Sequence, residues 1–355
     1  MHGQEIYTAR FVSAVHLLAL SLCFGCASES DEVVEADLNP PPEARWSDSA
    51  RFEEEGALLN IWGDARGEVY AIGGQPEQSA LFTLSDEPEE PRWRPLAHPA
   101  GPLLNWSHGV GTRQWVVGNE GRILSRRDAG EWAEEESTTT RHLWGVWAAS
   151  EEEAWAVGGD PLDESSTPAL LHYASGSWRS VELPPLDRGG VRALFKVWGS
   201  AADRVFAVGA KGILLAYDGS VWSQQTVTPV EDSPPITDDL ISLWGGPDES
   251  VIVVGGRANG VIVRFDQELS WRGMILPGVP GLNGIWMDAQ GVSTAVGLRG
   301  VTLRVEPGGF DFSYERSENT TLLHSVWGAP DGRRWAVGGS LDSLPPWEGV
   351  ILSSP

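Results

Sequence analysis

Six times along the chain a tryptophan stands eleven residues ahead of a glycine: Trp62 and Gly73, Trp147 and Gly158, Trp198 and Gly209, Trp244 and Gly255, Trp286 and Gly297, Trp327 and Gly338. Between Trp106 and Gly118 the pattern recurs with one extra residue. The seven glycines follow one another at intervals of 45, 40, 51, 46, 42 and 41 residues. Units of this period cannot each bury an apolar face alone, and neighbours must complete them. The spacing predicts an all-β fold, a seven-bladed β-propeller.

Each unit reads as four short strands. The first ends at the tryptophan ("LLNIWG", "LHSVWG"), and the second is a β-branched and aromatic run such as "WAVGG" or "IVVGG". The third resembles "ILLAY", and the fourth opens on another tryptophan, as in "SWRSV" or "VWSQQ"; in unit six "FDFSYE" takes that place. Apolar residues on both faces suit blades sandwiched between blades. Unit seven lacks a fourth strand after "GVILS", while "ARWSDSA" (44–50), with Trp46, lies unassigned ahead of unit one. Pairing the two closes the ring and leaves no open edge there.

Read in isolation, "DRVFAVGAKGILLAYDGSVWS" (203–223) suggests a phosphate loop. Its "GAKG" recurs as "GNEG", "GLRG" and "GRANG", always between two strands and with no helix behind it. These are hairpin turns needing positive φ. "DGSVW" (Asp218–Trp222) resembles the Asp-box turn of sialidase-like propellers, and "RRDAGEW" and "ASGSW" look like degenerate relatives. In that family the box lies between the third and fourth strands, as here. Residues 44–355 are similar to the tandem "VWG…WAVG…DG..W" propellers of bacterial surface lipoproteins, a resemblance that implies fold and address. A sialidase would also need an arginine triad with "RIP" and a tyrosine nucleophile. The chain has no "RIP", and Tyr70, Tyr173, Tyr217 and Tyr314 sit in or beside predicted strands, where burial is expected.

The first 25 residues read as an export signal: Arg10 precedes an apolar run too short for a permanent span, ending at Gly25-Cys26. The pattern resembles a lipoprotein signal, implying acylation of Cys26; an ordinary cleaved signal near Ala27 is the alternative. Ala27 after the cysteine favours the outer membrane in Gram-negative sorting. Residues 26–43 are acidic, proline-closed and poor in large apolar side chains, a solvated tether. The formal charge of −25 opposes nucleic acid and anionic lipid as partners, so membrane contact would come through the lipid anchor alone. Both cysteines lie at or before position 26, so the domain has no disulfide and rests on a core rich in its 18 tryptophans.

No nucleophile–base pair, cofactor motif or metal spacing stands out. His108, His142 and His324 fall near inner strands of blades two, three and seven, which are not all neighbours. Glu151–Glu153 reads as a solvated turn, and "GDPLDE" (159–164) and Asp238-Asp239 lack the ladder of a calcium loop. Binding is expected instead on long loops of one propeller face: "GGQPEQSA" in blade one, "GGDPLDESSTPA" in blade three, "GGSLDSLPPWEG" in blade seven, and the connections "PPLDRGG" and "TPVEDSPPITDD". Trp347 is expected to be exposed there, with Asp160, Asp163 and Glu164, to contact a protein or glycan; the alternative is that Trp347 packs beneath its own loop. The reading is a monomeric, non-catalytic envelope lipoprotein without cofactor or metal. A polysaccharide hydrolase or lyase at the tunnel mouth is its rival.

Overall fold

The computed structural model describes residues 45–355 except 65, 86–91, 231, 247–248, 266–269 and 342. The predicted signal, Cys26 and the tether lie outside the described residues. Seven antiparallel sheets follow one another along the chain, and each contributes a four-stranded blade. The inner strands are Ala57–Gly63, Leu104–Val110, Leu143–Ser150, Leu194–Ala201, Leu240–Gly245, Leu282–Met287 and Leu323–Gly328. The ring closes as the sequence predicts: Arg45–Phe52 pairs antiparallel with Gly349–Ser354 as the outer strand of blade seven. Trp46 is buried there, and its indole N–H donates to Glu315 across 2.8 Å.

Two strands were not foreseen. Val227–Pro229 and Arg316–Ser317 lie parallel to the outer strands of blades five and seven. The connections from blades four and six must pass those outer edges to reach the next inner strand, and they cap the edges as they pass.

The tryptophan of the repeat is explained by the residue after it. A Cβ on Gly63 would lie 2.1 Å from the Trp327 ring, one on Gly245 2.0 Å from Trp198, and one on Gly328 2.5 Å from Trp286. Gly109 and Gly199 stand in the same relation to Trp62 and Trp147. Each of these five indoles fills the space where a side chain on the following blade's glycine would go, which makes the Trp-Gly pair a one-way lock around the ring. Two junctions differ. Met287 stands in the glycine's place in blade six, within the cluster against which Trp244 packs.

The other exception corrects the repeat alignment. His108, not Trp106, pairs with Trp115 as Trp147 pairs with Trp155, so His108 holds the lock position of blade two. Its receiver in blade three is Ala148, whose N–H donates to His108 Nδ1 at 3.1 Å. The smaller ring and the extra methyl offset one another. Enclosure in the ring pushes the His108 imidazole down to about 4. The unfolded chain therefore takes up a proton below about 6.5 that the folded chain refuses, and stability falls with pH through that window. Between pH 7 and pH 4 wild type should lose about 3 kcal/mol more than His108→Gln, read from urea midpoints. Equal losses would show that His108 is not held neutral.

The "GNEG"-type turns are as expected, with one refinement. In blades two, four and six both central residues have positive φ: Glu120 and Gly121, Lys211 and Gly212, Arg299 and Gly300. That is the type I′ geometry of tight hairpins. A Cβ on Gly121 or Gly300 would sit 1.9 Å from a carbonyl of the next connection, which fixes glycine as the second residue. The Asp218 turn lies between the third and fourth strands of blade four, with Oδ1 accepting from Ser220 and Val221 N–H at 2.9 Å each. Glu151 does more than meet solvent: it accepts from Thr112 N–H and Oγ and pairs with Arg127, stitching blade three to blade two. Tyr70 and Tyr173 are buried as predicted, but Tyr314 is 57% exposed, because blade six ends on a three-residue outer strand with no fifth strand over it.

Candidate binding face

Every inner strand carries a β-bulge at the same point, directly after the leucine that pairs with the repeat glycine of the second strand. The extra residues are Leu59, Asn105, Trp144, Phe195, Ile241, Asn283 and His324. A bulge re-aims the side chain it carries. Inner strands begin at the face where the between-blade connections enter, so these seven residues ring the tunnel mouth on that face. Trp144 Nε1 donates to Gly159 O at 2.7 Å, and His324 Nε2 lies 2.8 Å from Gly339 O. Each ring is thus held over the start of its own blade's second hairpin. Asn105 donates to Asn119 Oδ1 and to Leu143 O, tying the bulges of blades two and three together.

The expected long loops fare differently. Blade one has none: "GGQPEQSA" is mostly strand, with Val69–Gln75 and Gln78–Leu84 joined by the two-residue turn Pro76-Glu77. The extra length reaches sideways. Gln75 donates to Trp347 O at 2.9 Å and accepts from Trp347 N–H at 2.8 Å, clamping the blade-seven loop to blade one. Trp347 is half-buried rather than exposed, and its indole N–H donates to Ser343 O at 2.8 Å within its own loop.

In blade three the acids build their own turn. Asp160 Oδ1 accepts from Leu162 and Asp163 N–H, and Asp163 Oδ1 accepts from Ser165 N–H and Oγ. Those bonds hold the Asp163 carboxyl below its usual range. Glu164 points outward, 3.6 Å from Arg192. These acids do not touch Trp347. The two loops meet instead through residues that sequence reasoning missed. Trp144 and Trp347 both pack, half-buried, against the buried trio Ala57, Leu59 and Leu103, which makes one apolar strip from blade seven to blade three. At its far end Trp144 meets His142 edge-on with centroids 6.0 Å apart, and His142 Nε2 lies 4.0 Å from Asp160. The signal for Trp144 was present in "HLWGVWA", where a second tryptophan outside the repeat precedes Trp147.

Beside the strip, a cleft of about 310 Å³ opens between the closing strand and the blade-seven loop. Arg51, Glu53, Ser343 and Glu348 supply polar groups, and Phe52, Pro346 and Val350 an apolar floor. That is the mixed lining of a site for a side chain or small ligand. On the tunnel axis the inner strands leave a cavity of about 20 Å³. His142 Nδ1 accepts from Glu120 N–H at 3.1 Å, and its Nε2 lies 4.0 Å from Asp160. Among the described residues no group of three or more His, Cys, Asp and Glu could hold a metal.

No family model and no curated protein matches the chain. Solved structures do. YCF48 from Cyanidioschyzon merolae superimposes with a TM-score of 0.62 at 14% identity, over 87% of this chain and 98% of that one. The WD40 β-propeller domain of Doa1 gives 0.61 at 10% identity, over 86% and 96%. YCF48 bound to D1 peptide gives 0.51 at 15% identity, over 71% and 91%. The likeness is one of fold. It adds independent solved examples of the β-propeller to the architecture read from the repeat.

Proposed function

We propose that this chain is a non-catalytic, lipid-anchored protein of the cell envelope whose propeller binds a protein partner on the bulge-ring face. The observation that carries the reading is the strip that Trp144 and Trp347 flank. Half-buried tryptophans held in place by their own hydrogen bonds lose little entropy on binding and are the usual anchors of an interface. The cleft beside Trp347 provides a pocket, and the acidic blade-three loop a polar rim. A solved structure of similar fold is YCF48 bound to D1 peptide, which supports a protein partner. The Asp218 turn supports kinship with Asp-box propellers of bacterial surface lipoproteins, and the Gly25-Cys26 junction supports an outer-membrane anchor.

One experiment covers both halves. The full chain carries a photo-crosslinker at Leu344, 91% exposed on the binding face, or at Val221, 60% exposed in a turn of the opposite face. Discrete protein adducts should form from Leu344, not from Val221, and fall at least tenfold in Trp144→Ala or Trp347→Ala with little change in melting temperature. Cys26→Ser should release the chain from membranes. Adducts that survive both tryptophan changes, or that carry glycan alone, would overturn the partner reading. A Cys26→Ser chain that stays on the membrane would overturn the anchor.

A further inference from the structure

The strongest charge anomaly lies on the axis. The chain carries a formal −25, yet the residues lining the axial cavity include no carboxylate. They do include Lys196, one of two lysines in the sequence. Lys196 is 9% exposed. Its ammonium donates to Trp144 O at 3.1 Å and sits 3.3 Å from the centroid of the Trp106 ring. Gly145, at the matching position of the blade between them, leaves room for that reach. An ammonium has three N–H groups, and the described residues accept one. A buried cation without a counter-ion is costly: burial holds the Lys196 ammonium well below its usual range, and cation–π contact with one indole replaces only a small part of its hydration, so a bound anion would favour the charged form.

A second donor faces the same space. His108 lines the cavity, and because its Nδ1 accepts from Ala148 N–H, its proton is on Nε2. Nε2 has no acceptor among the described residues. Next to Lys196 around the ring, Ser242 holds the matching position of blade five, and its buried Oγ also lacks a partner. Two unfilled donors, on Lys196 and His108, therefore face one space whose lining residues include no carboxylate. A volume near 20 Å³ admits a single water-sized particle.

We propose that the axial cavity is a site for one small spherical monoanion, of the halide class, held by the Lys196 ammonium and the His108 Nε2–H. The anion would complete the core at the point where the seven blades meet, by neutralising the cation that Trp106 partly covers.

Crystals of the full chain grown in sodium bromide test this by anomalous diffraction at the bromine edge. A peak within contact of Lys196 Nζ is expected. In solution, chloride or bromide should raise the melting temperature by about 2–4 °C over sodium gluconate at equal ionic strength, since gluconate is too large to enter. Lys196→Met should abolish that difference, and His108→Gln should shift it to higher halide concentration. Should Lys196→Met fail to fold, the bromide peak and the His108→Gln titration decide. Ordered water without anomalous signal, or identical melting in halide and gluconate, would overturn the site.

Discussion

Deleting residues 45–52 should leave a chain that aggregates or unfolds without a cooperative transition. The strand supplies the outer edge of blade seven, pairing through Ser47–Ser353, Asp48–Leu352, Ala50–Ile351, Arg51–Val350 and Phe52–Gly349. Its loss would expose the edge of Gly349–Ser354 and uncover a core that includes Leu352 and Val350. Unpaired apolar edges recruit other chains. A milder change gives a number. Trp46 is 2% exposed, bonds Glu315, and has the Arg334 guanidinium 5.1 Å over its ring. Trp46→Ala should cost about 3–5 kcal/mol, read as the fall in denaturation free energy. A deletion that unfolds with the wild-type midpoint would refute the strand exchange.

Gly245→Ala should cost about 3 kcal/mol, a large effect for one methyl group. The backbone at Gly245 does not require glycine; the obstacle is the Trp198 ring, 2.0 Å from where the methyl would go. Gly309→Ala is the control, because its nearest neighbour would be 3.9 Å away, and it should stay within about 0.5 kcal/mol of wild type. Trp198→Phe should recover part of the loss when combined with Gly245→Ala, and the cycle should show a coupling above about 1 kcal/mol. Additive effects would mean that the indole does not rest on the glycine.

The seven blades and their closure were legible because a repeat averages over local ambiguity: seven copies of one pattern outvote any single misreading. Where copies diverged, legibility fell. Blade two shortens its first hairpin, so spacing alone led to Trp106 while register places His108 at the lock. "GGQPEQSA" has the composition of a loop, yet its glycines lie within paired strands, and a two-residue turn suffices. The bulges were not read from the sequence: a leucine precedes each one, but strands are rich in leucine, and the extra residue itself varies among Leu, Asn, Trp, Phe, Ile and His. The binding face was half legible. Loop length pointed to the face now proposed and to Trp347, but not to Gln75, which pins it, nor to Trp144. Side-chain contacts between blades far apart in sequence leave no local pattern.

Trp46 and Glu315 meet although 269 residues separate them in sequence. Ring closure is therefore the longest-range event in the folding of this domain, and long-range contacts form slowly. A nascent chain holds its first strand idle until the last strands have been made. Any product cut short in synthesis keeps that strand without a partner, however well its middle blades have formed. A domain without Gly349–Ser354 leaves the pairing edges of both Arg45–Phe52 and Arg334–Gly338 open, so one missing strand exposes two.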